Sequence, residues 1–176
     1  TDQKRTPLLM GASTGPLPRN LRGQFLPRTT RPYPWSHESE LFSAPLTGTW
    51  IEPHQVAVAP IERTPDGETV TLRIRPQRNG ANLGIYVPSE RLVDVTVNGH
   101  SIPGRERQRF AADWRSVVAV ASPPSGIEFR LRVRGRDPLP VFTWELDYGV
   151  PAAGDHLKQL RPDDAVPLPA GDRSLI

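Results

Sequence analysis

The chain has 176 residues, no Cys, 21 Pro, 14 Gly and a formal net charge of +3. Its length suits one domain with a real hydrophobic core, and the lack of Cys excludes a disulfide scaffold and any Cys-ligated zinc or iron–sulfur site. The high Pro and Gly content favours many short strands joined by turns. Basic residues exceed acidic ones, and the pI is about 9.8. This charge is compatible with binding to nucleic acid or to an anionic membrane surface.

Residues 1–36 show no periodic hydrophobic pattern, and we interpret them as a basic, Pro/Gly-rich linker or arm. The arm contains one acidic residue, Asp2, and six basic residues: Lys4, Arg5, Arg19, Arg22, Arg28 and Arg31. These charges would favour an anionic membrane surface by ~1 kcal/mol each; a solvated linker is the simpler alternative. Because the chain begins with Thr rather than Met and shows no signal-peptide pattern, we expect a piece of a larger protein.

From His37 onward, short strands alternate with turns. The clearest strand is 127–134, in which apolar residues alternate with Glu128, Arg130, Arg132 and Arg134, as expected of a strand with one face on a core and one in water. Asn98-Gly99 predicts a type I′ hairpin turn, and Thr64-Pro65-Asp66-Gly67 predicts another turn. The remaining strands are predicted near 48–51, 55–61, 70–74, 83–87, 92–97, 117–120 and 139–146.

This pattern predicts an all-β fold, an antiparallel β-sandwich of about eight strands with extended N- and C-terminal tails; a partly open barrel is the alternative. We place the sandwich at 37–150 and a tail packed on the domain at 151–176. The strands at 117–120 and 139–146 are expected to be buried. The predicted core comprises Val70, Leu72, Ile74, Ile85, Val87, Val95, Val118, Phe129, Leu131, Val133, Phe142 and Leu146.

The sequence lacks the motifs of the common catalytic sites. The four His, at positions 37, 54, 100 and 156, are far apart and none has a partner at metal-ligand spacing. There is no Gly-x-Ser-x-Gly elbow, no Cys nucleophile and no phosphate-cradling Gly-rich loop. We therefore expect no catalytic constellation, metal site or cofactor in this chain.

Two groups of residues are candidates for binding. Trp114 could stack on a sugar ring while Arg115 donates a hydrogen bond beside it, although most Trp residues serve a core. The solvated faces of two strands carry Arg73, Arg75, Arg130, Arg132 and Arg134. Such rows could bind anionic lipid or nucleic acid, but they more often serve solubility and edge protection. Nucleic acid is the weaker alternative, because aromatic residues do not interleave with these Arg.

The segment from Phe110 to Ile176 carries short motifs in a fixed order. They are Asp113-Trp114-Arg115, Ala121-Ser122-Pro123-Pro124-Ser125-Gly126, Asp147-Tyr148-Gly149-Val150-Pro151 and Arg161-Pro162-Asp163-Asp164, with Tyr86-Val87-Pro88 and Val97-Asn98-Gly99 upstream. In these residues the chain resembles the C-terminal part of membrane-spanning zinc aminopeptidase-like peptidases, a group that includes the endoplasmic reticulum metallopeptidases and their bacterial relatives. The likeness covers 45–176, and it departs from the family pattern by lacking Arg-Ser before Tyr148.

The resemblance implies a non-catalytic, periplasmic or otherwise extracytoplasmic β-domain that follows membrane helices in a larger peptidase. It would dock on its own catalytic domain or on another protein. The family's metal-binding domain and membrane helices are not in this sequence, so no catalytic residue is carried over. A carbohydrate-binding sandwich using Trp114 is the first alternative, and an anionic lipid or nucleic-acid binder using the Arg rows is the second.

Overall fold

A computed structural model describes residues 8–13, 19, 23, 26–28, 40–45, 52–77, 82–102, 113–148, 155–160 and 173–175. The chain divides into two units. One comprises Thr1–Ile51 with Tyr148–Ser174, and the other comprises Glu52–Asp147 with Leu175–Ile176.

The first unit contains a small antiparallel sheet in the order β1-β3-β2. Its strands are β1 (Leu8–Ser13), β2 (Leu26–Arg28) and β3 (Glu40–Pro45), and a short helix, α1 (Asp155–Gln159), follows later in the chain. Strands β1 and β2 lie within residues 1–36, where the sequence predicted none. Strand β1 begins with three consecutive apolar residues and therefore shows no alternation. The strand predicted at 48–51 lies outside the described residues, and the predicted domain boundaries remain predictions.

The second unit contains two antiparallel sheets, which confirms the all-β sandwich-like fold. In the first sheet the order is β4-β6-β11-β8-β9, with β5 also paired to β6; in the second sheet β7 lies between β10 and β12. The strands are β4 (Gln55–Val58), β5 (Glu62–Thr64), β6 (Gly67–Arg75), β7 (Asn82–Pro88), β8 (Leu92–Val97), β9 (His100–Ser101), β10 (Trp114–Ala119), β11 (Ile127–Arg134) and β12 (Phe142–Tyr148). A further strand, β13 (Arg173–Leu175), follows α1 along the chain.

Strand β11 lies between β6 and β8 in the first sheet, and its alternation is confirmed. Phe129 pairs with Leu72 on β6, and Leu131 pairs with Val95 on β8. The side chains of Ile127, Phe129, Leu131 and Val133 are buried, whereas Arg130, Arg132 and Arg134 are exposed. The hairpin between β8 and β9 is also confirmed as a type I′ turn, because Asn98 and Gly99 both have positive φ, at 49° and 80°.

Both sheets contribute to a single core. The buried members are Val70, Leu72, Ile74, Leu83, Ile85, Val87, Leu92, Val95, Val117, Ile127, Phe129, Leu131 and Val133. Two residues predicted for this core were assigned wrongly: Val118 is 46% exposed and Phe142 is 38% exposed. They pair with Gly84 and Tyr86 on the outer face of the second sheet. Leu146, on the same outer face, is only half-buried.

Candidate functional site

The outer face of the second sheet carries a group of aromatic side chains, which we call the aromatic face: Tyr86, Trp114, Phe142 and Trp144. Tyr86 pairs with Phe142 on one side and with Ser116 on the other. Directly paired residues of neighbouring strands share a face, as do residues two apart on one strand. Trp114 and Trp144 are each two residues from one of these partners, so all four rings belong to the face turned away from the core.

The rings of the aromatic face pack against one another at an angle. Trp114 and Phe142 have centroids 5.2 Å apart with planes at 68°, an edge-to-face contact, and Tyr86 and Trp144 lie 6.3 Å apart at 40°. Such tilted pairs are favourable because the edge of one ring meets the face of the other. The rings therefore form an uneven apolar surface rather than the flat platform on which a sugar ring would stack.

Gly84 provides the space for Trp144. The two residues pair across β7 and β12, and a Cβ at Gly84 would lie 2.2 Å from Cζ2 of the indole, well inside van der Waals contact. Glycine within a strand often marks a place where another group approaches the backbone closely. The indole Nε1 is buried there, with no hydrogen-bond partner. The ring is therefore held by van der Waals packing against Gly84 and not by a hydrogen bond from its nitrogen.

The structure does not bring the two predicted ligand-binding residues together on one face. Trp114 belongs to the aromatic face, but Arg115 pairs with Val87, which is fully buried on the core side. Adjacent residues of a strand point to opposite faces, so Arg115 is directed away from the aromatic face. Both residues are part of β10, so the guanidinium of Arg115 does not lie beside the Trp114 ring, and a binding role for either residue stays a prediction.

The predicted basic residues Arg73, Arg75, Arg130, Arg132 and Arg134 are exposed on β6 and β11. The solvated face of the first sheet carries carboxylates as well as these Arg side chains. We call it the charged face. Arg73 Nη2 is 3.0 Å from Glu128 Oε2, and Arg130 Nη2 is 2.8 Å from Glu62 Oε2. Arg132 pairs in register with Asp94 on β8. The surface therefore has mixed charge rather than uniformly basic character. In the predicted arm, Arg19 is exposed and Arg28 belongs to β2, whereas Lys4, Arg5, Arg22 and Arg31 lie outside the described residues.

A polar cluster that the sequence did not predict lies on the core side of β12. His54 Nε2 and Thr143 Oγ1 share a hydrogen bond of 2.7 Å, and the fully buried Glu145 accepts a 3.0 Å hydrogen bond on Oε2 from the Gln77 backbone N–H. We call His54, Gln77, Thr143 and Glu145 the polar cluster. Thr143 and Glu145 face inward because they pair with Ile85 and Leu83, whose side chains belong to the core.

Burial lowers the pKa of His54 below its ordinary value of 6.5, and the nearby charge of Glu145 acts in the opposite direction. The imidazole is therefore neutral near pH 7, and its Nδ1 is buried with no hydrogen-bond partner. The sequence offered little sign of this site, because His54 and Thr143 are 89 positions apart and β12 has its apolar residues on the outer face.

Within the described ranges, no group of three or more His, Asp or Glu is placed to hold a metal ion. In the same part of the chain, no helix has the length and apolarity needed to cross a bilayer. No family model, curated protein or solved structure matches this chain.

Proposed function

We propose that this chain is a non-catalytic docking domain of a larger membrane-bound metallopeptidase-like protein, located on the extracytoplasmic side. It binds the catalytic domain of its own protein, or another protein, through the aromatic face. The observation that supports the proposal is the grouping of four aromatic side chains on one outward-facing sheet surface, where each of them is at least partly exposed to solvent.

Three exposed apolar residues lie on the aromatic face or directly beside it. Phe142 is 38% exposed and Val118, on the same face of β10, is 46% exposed; Val120, just beyond β10, is 74% exposed. Scattered apolar side chains are normal on protein surfaces, whereas contiguous apolar patches are typical of interaction sites. Aromatic residues are enriched in protein–protein interfaces, where Trp and Tyr often account for much of the binding energy.

The resemblance to the peptidase family supports the nature of the partner. The motifs around Trp114 and Tyr148 that carry it lie at the start of β10 and the end of β12, the two strands that supply most of the aromatic face. A domain of this kind acts by holding its partner in position, and its own chain needs no reacting group.

Site-specific photocrosslinking in the full reading frame tests the proposal. A benzophenone amino acid is placed at position 142 on the aromatic face, or at position 132 on the charged face as the matched control. We expect position 142 to crosslink to a defined peptide of a peptidase-like domain or of one partner protein, and position 132 to give little product. Equal labelling from both positions, or none from 142, would contradict docking through this face.

A glycan titration distinguishes the carbohydrate alternative, for which the half-buried Trp114 is the only support. Trp fluorescence should stay flat across an oligosaccharide panel, since the rings of the aromatic face are tilted. A saturable shift that Trp114→Ala removes would favour the sugar-binding alternative. Binding to anionic vesicles or nucleic acid that weakens steeply with salt would favour the charged face, where carboxylates lie among the Arg side chains.

A further inference from the structure

We propose that the polar cluster is a pH-responsive latch, which holds the start of β4 against the sandwich and releases it when His54 becomes protonated. This inference is independent of the proposed docking function.

The latch joins the start of β4 to both sheets. His54 directly precedes β4, and its Nε2 contacts Thr143 on β12 of the opposite sheet at 2.7 Å. Gln77, two residues beyond the end of β6, donates from its side chain to the carbonyl of Pro53 at 3.1 Å. The backbone N–H of Gln77 donates to Glu145 at 3.0 Å. Residues 53–54 are thereby held by Thr143 of the second sheet and by Gln77, which follows β6 of the first sheet.

The rest of β4 is weakly held. All four of its residues are exposed, and Val56 and Val58 are 43% and 60% accessible. Among the described strands, β4 pairs with β6 alone, from Gln55 opposite Arg75 to Val58 opposite Leu72. A short strand that buries little apolar surface is the kind of element that opens locally while the rest of the domain stays folded. The contacts of residues 53–54 are therefore a large part of what keeps β4 in place.

Protonation conflicts with the latched arrangement. Protonated His has two N–H donors and no acceptor, so His54 could still donate from Nε2 to Thr143, but the buried Nδ1 has no acceptor. Glu145 on β12 is the charged group that favours protonation, and burial outweighs it, so that the pKa of His54 is lowered. The nearby charged residues of the adjoining elements, Glu52 and Arg75, are exposed. A proton on His54 is accommodated most easily when residues 53–54 move into water.

Release would also alter the neighbouring strand. Freed from β4, the edge of β6 from Leu72 to Arg75 would present unpaired backbone groups, which can pair with another extended chain. The latch would thus make one edge of the first sheet available at acidic pH only.

Hydrogen–deuterium exchange of the whole chain tests the latch at pH 7.5 and 5.5, with rates corrected by an unstructured peptide of the same sequence. For peptides covering 53–60, we expect protection to fall severalfold at pH 5.5, with about tenfold as the upper limit when the released His54 has its ordinary pKa of 6.5. Peptides covering 127–134 should stay unchanged and serve as the internal control. In His54→Gln, which cannot take up a proton in this range, protection of β4 should be the same at both pH values.

A second variant separates the latch from a general loss of stability. Thr143→Val removes the hydroxyl that His54 contacts, so β4 should be less protected at both pH values while 127–134 is unchanged. Equal protection of β4 at pH 7.5 and 5.5 in the unmodified chain would overturn the proposal. An equal fall with pH in His54→Gln would overturn it as well. Should His54→Gln fail to fold, His54→Asn takes its place: pH-independent protection of β4 would decide the question in favour of the latch, and a retained pH-dependent fall would decide it against.

Discussion

The side chain of Asn98 continues the ladder between β8 and β11 into the hairpin turn. Its Oδ1 accepts a 2.8 Å hydrogen bond from the backbone N–H of Glu128, while the Asn98 N–H donates to the Glu128 carbonyl at 2.8 Å. Asn98 thus exchanges two hydrogen bonds with one residue, as a paired strand residue does, although its φ of 49° lies in the left-handed region. Asn is among the few non-glycine residues that tolerate this region.

Replacing Asn98 with Ala should destabilise the domain. The Asn98→Ala variant loses the acceptor for the Glu128 N–H and places a Cβ-bearing residue without a compensating side-chain bond at positive φ. The expected loss is about 1–3 kcal/mol, measured by urea denaturation. Asn98→Asp keeps an acceptor at the same position and should recover most of the stability. Equal stability of the Ala variant and the unmodified chain would contradict the role assigned to this side chain.

Two Phe residues of opposite burial should respond very differently to truncation. Phe129 is fully buried, whereas Phe142 is 38% exposed. Phe129→Ala leaves a cavity in the core and should cost about 3–5 kcal/mol. Phe142→Ala should cost well under half of that, because much of its ring is already in contact with water. Thermal unfolding monitored by circular dichroism compares the two, and a larger loss for Phe142→Ala would contradict the burial of these rings.

Gly84→Ala should displace the indole of Trp144. The added methyl group would meet the ring at 2.2 Å, and forcing such a group into a packed site costs about 1–3 kcal/mol. Both the fluorescence of Trp144 and the unfolding midpoint should shift. In a Trp144→Leu background the smaller side chain leaves room for the methyl group, so the same change should cost much less. Additive effects of the two substitutions would show that they do not meet.

Stability should fall with pH below about neutrality through His54. Because the pKa of His54 is lowered in the folded state from 6.5, the unfolded chain binds the proton more readily. This contribution to stability is complete above pH 6.5, declines as the pH falls through 6.5, and reaches its full loss below the folded-state pKa. Urea midpoints from pH 8 to 5 should decline in the unmodified chain and decline less in His54→Gln. A matching decline in both proteins would assign the effect to other groups.

The Arg130–Glu62 pair should contribute little to stability. Its members are 52% and 61% exposed, and exposed ion pairs are worth about 0–1 kcal/mol and are weakened by salt. Arg130→Gln should therefore change the free energy of unfolding by less than 1 kcal/mol, with a smaller change still at high salt. A loss of several kcal/mol would mean that this pair is structurally important.

Regular local patterns were readable from the sequence, and contacts between distant segments were not. The alternation in β11 and the Asn98-Gly99 turn each depend on neighbouring residues, and both were predicted correctly. In β12, apolar and polar residues also alternate, but the polar side faces the core. The burial of Glu145 depends on the N–H of Gln77, 68 positions away, and no local pattern reveals that partner.

The candidate site was predictable only in part, for a similar reason. Trp114 was singled out as a binding residue, and it does belong to the aromatic face. Its neighbours there, Phe142 and Trp144, come from a strand distant in sequence, so the grouping required the pairing of both strands with β7. The sequence therefore identified one member of the group, and the register of the sheet supplied the others.

The outer faces of the two sheets differ in chemical character, so the two sides of the sandwich should adsorb to different kinds of surface. Guanidinium and carboxylate groups are concentrated on one side and indole and phenyl rings on the other. In the sandwich, a charged support should therefore favour contact with the outer face of the first sheet, and a hydrophobic support should favour contact with the outer face of the second.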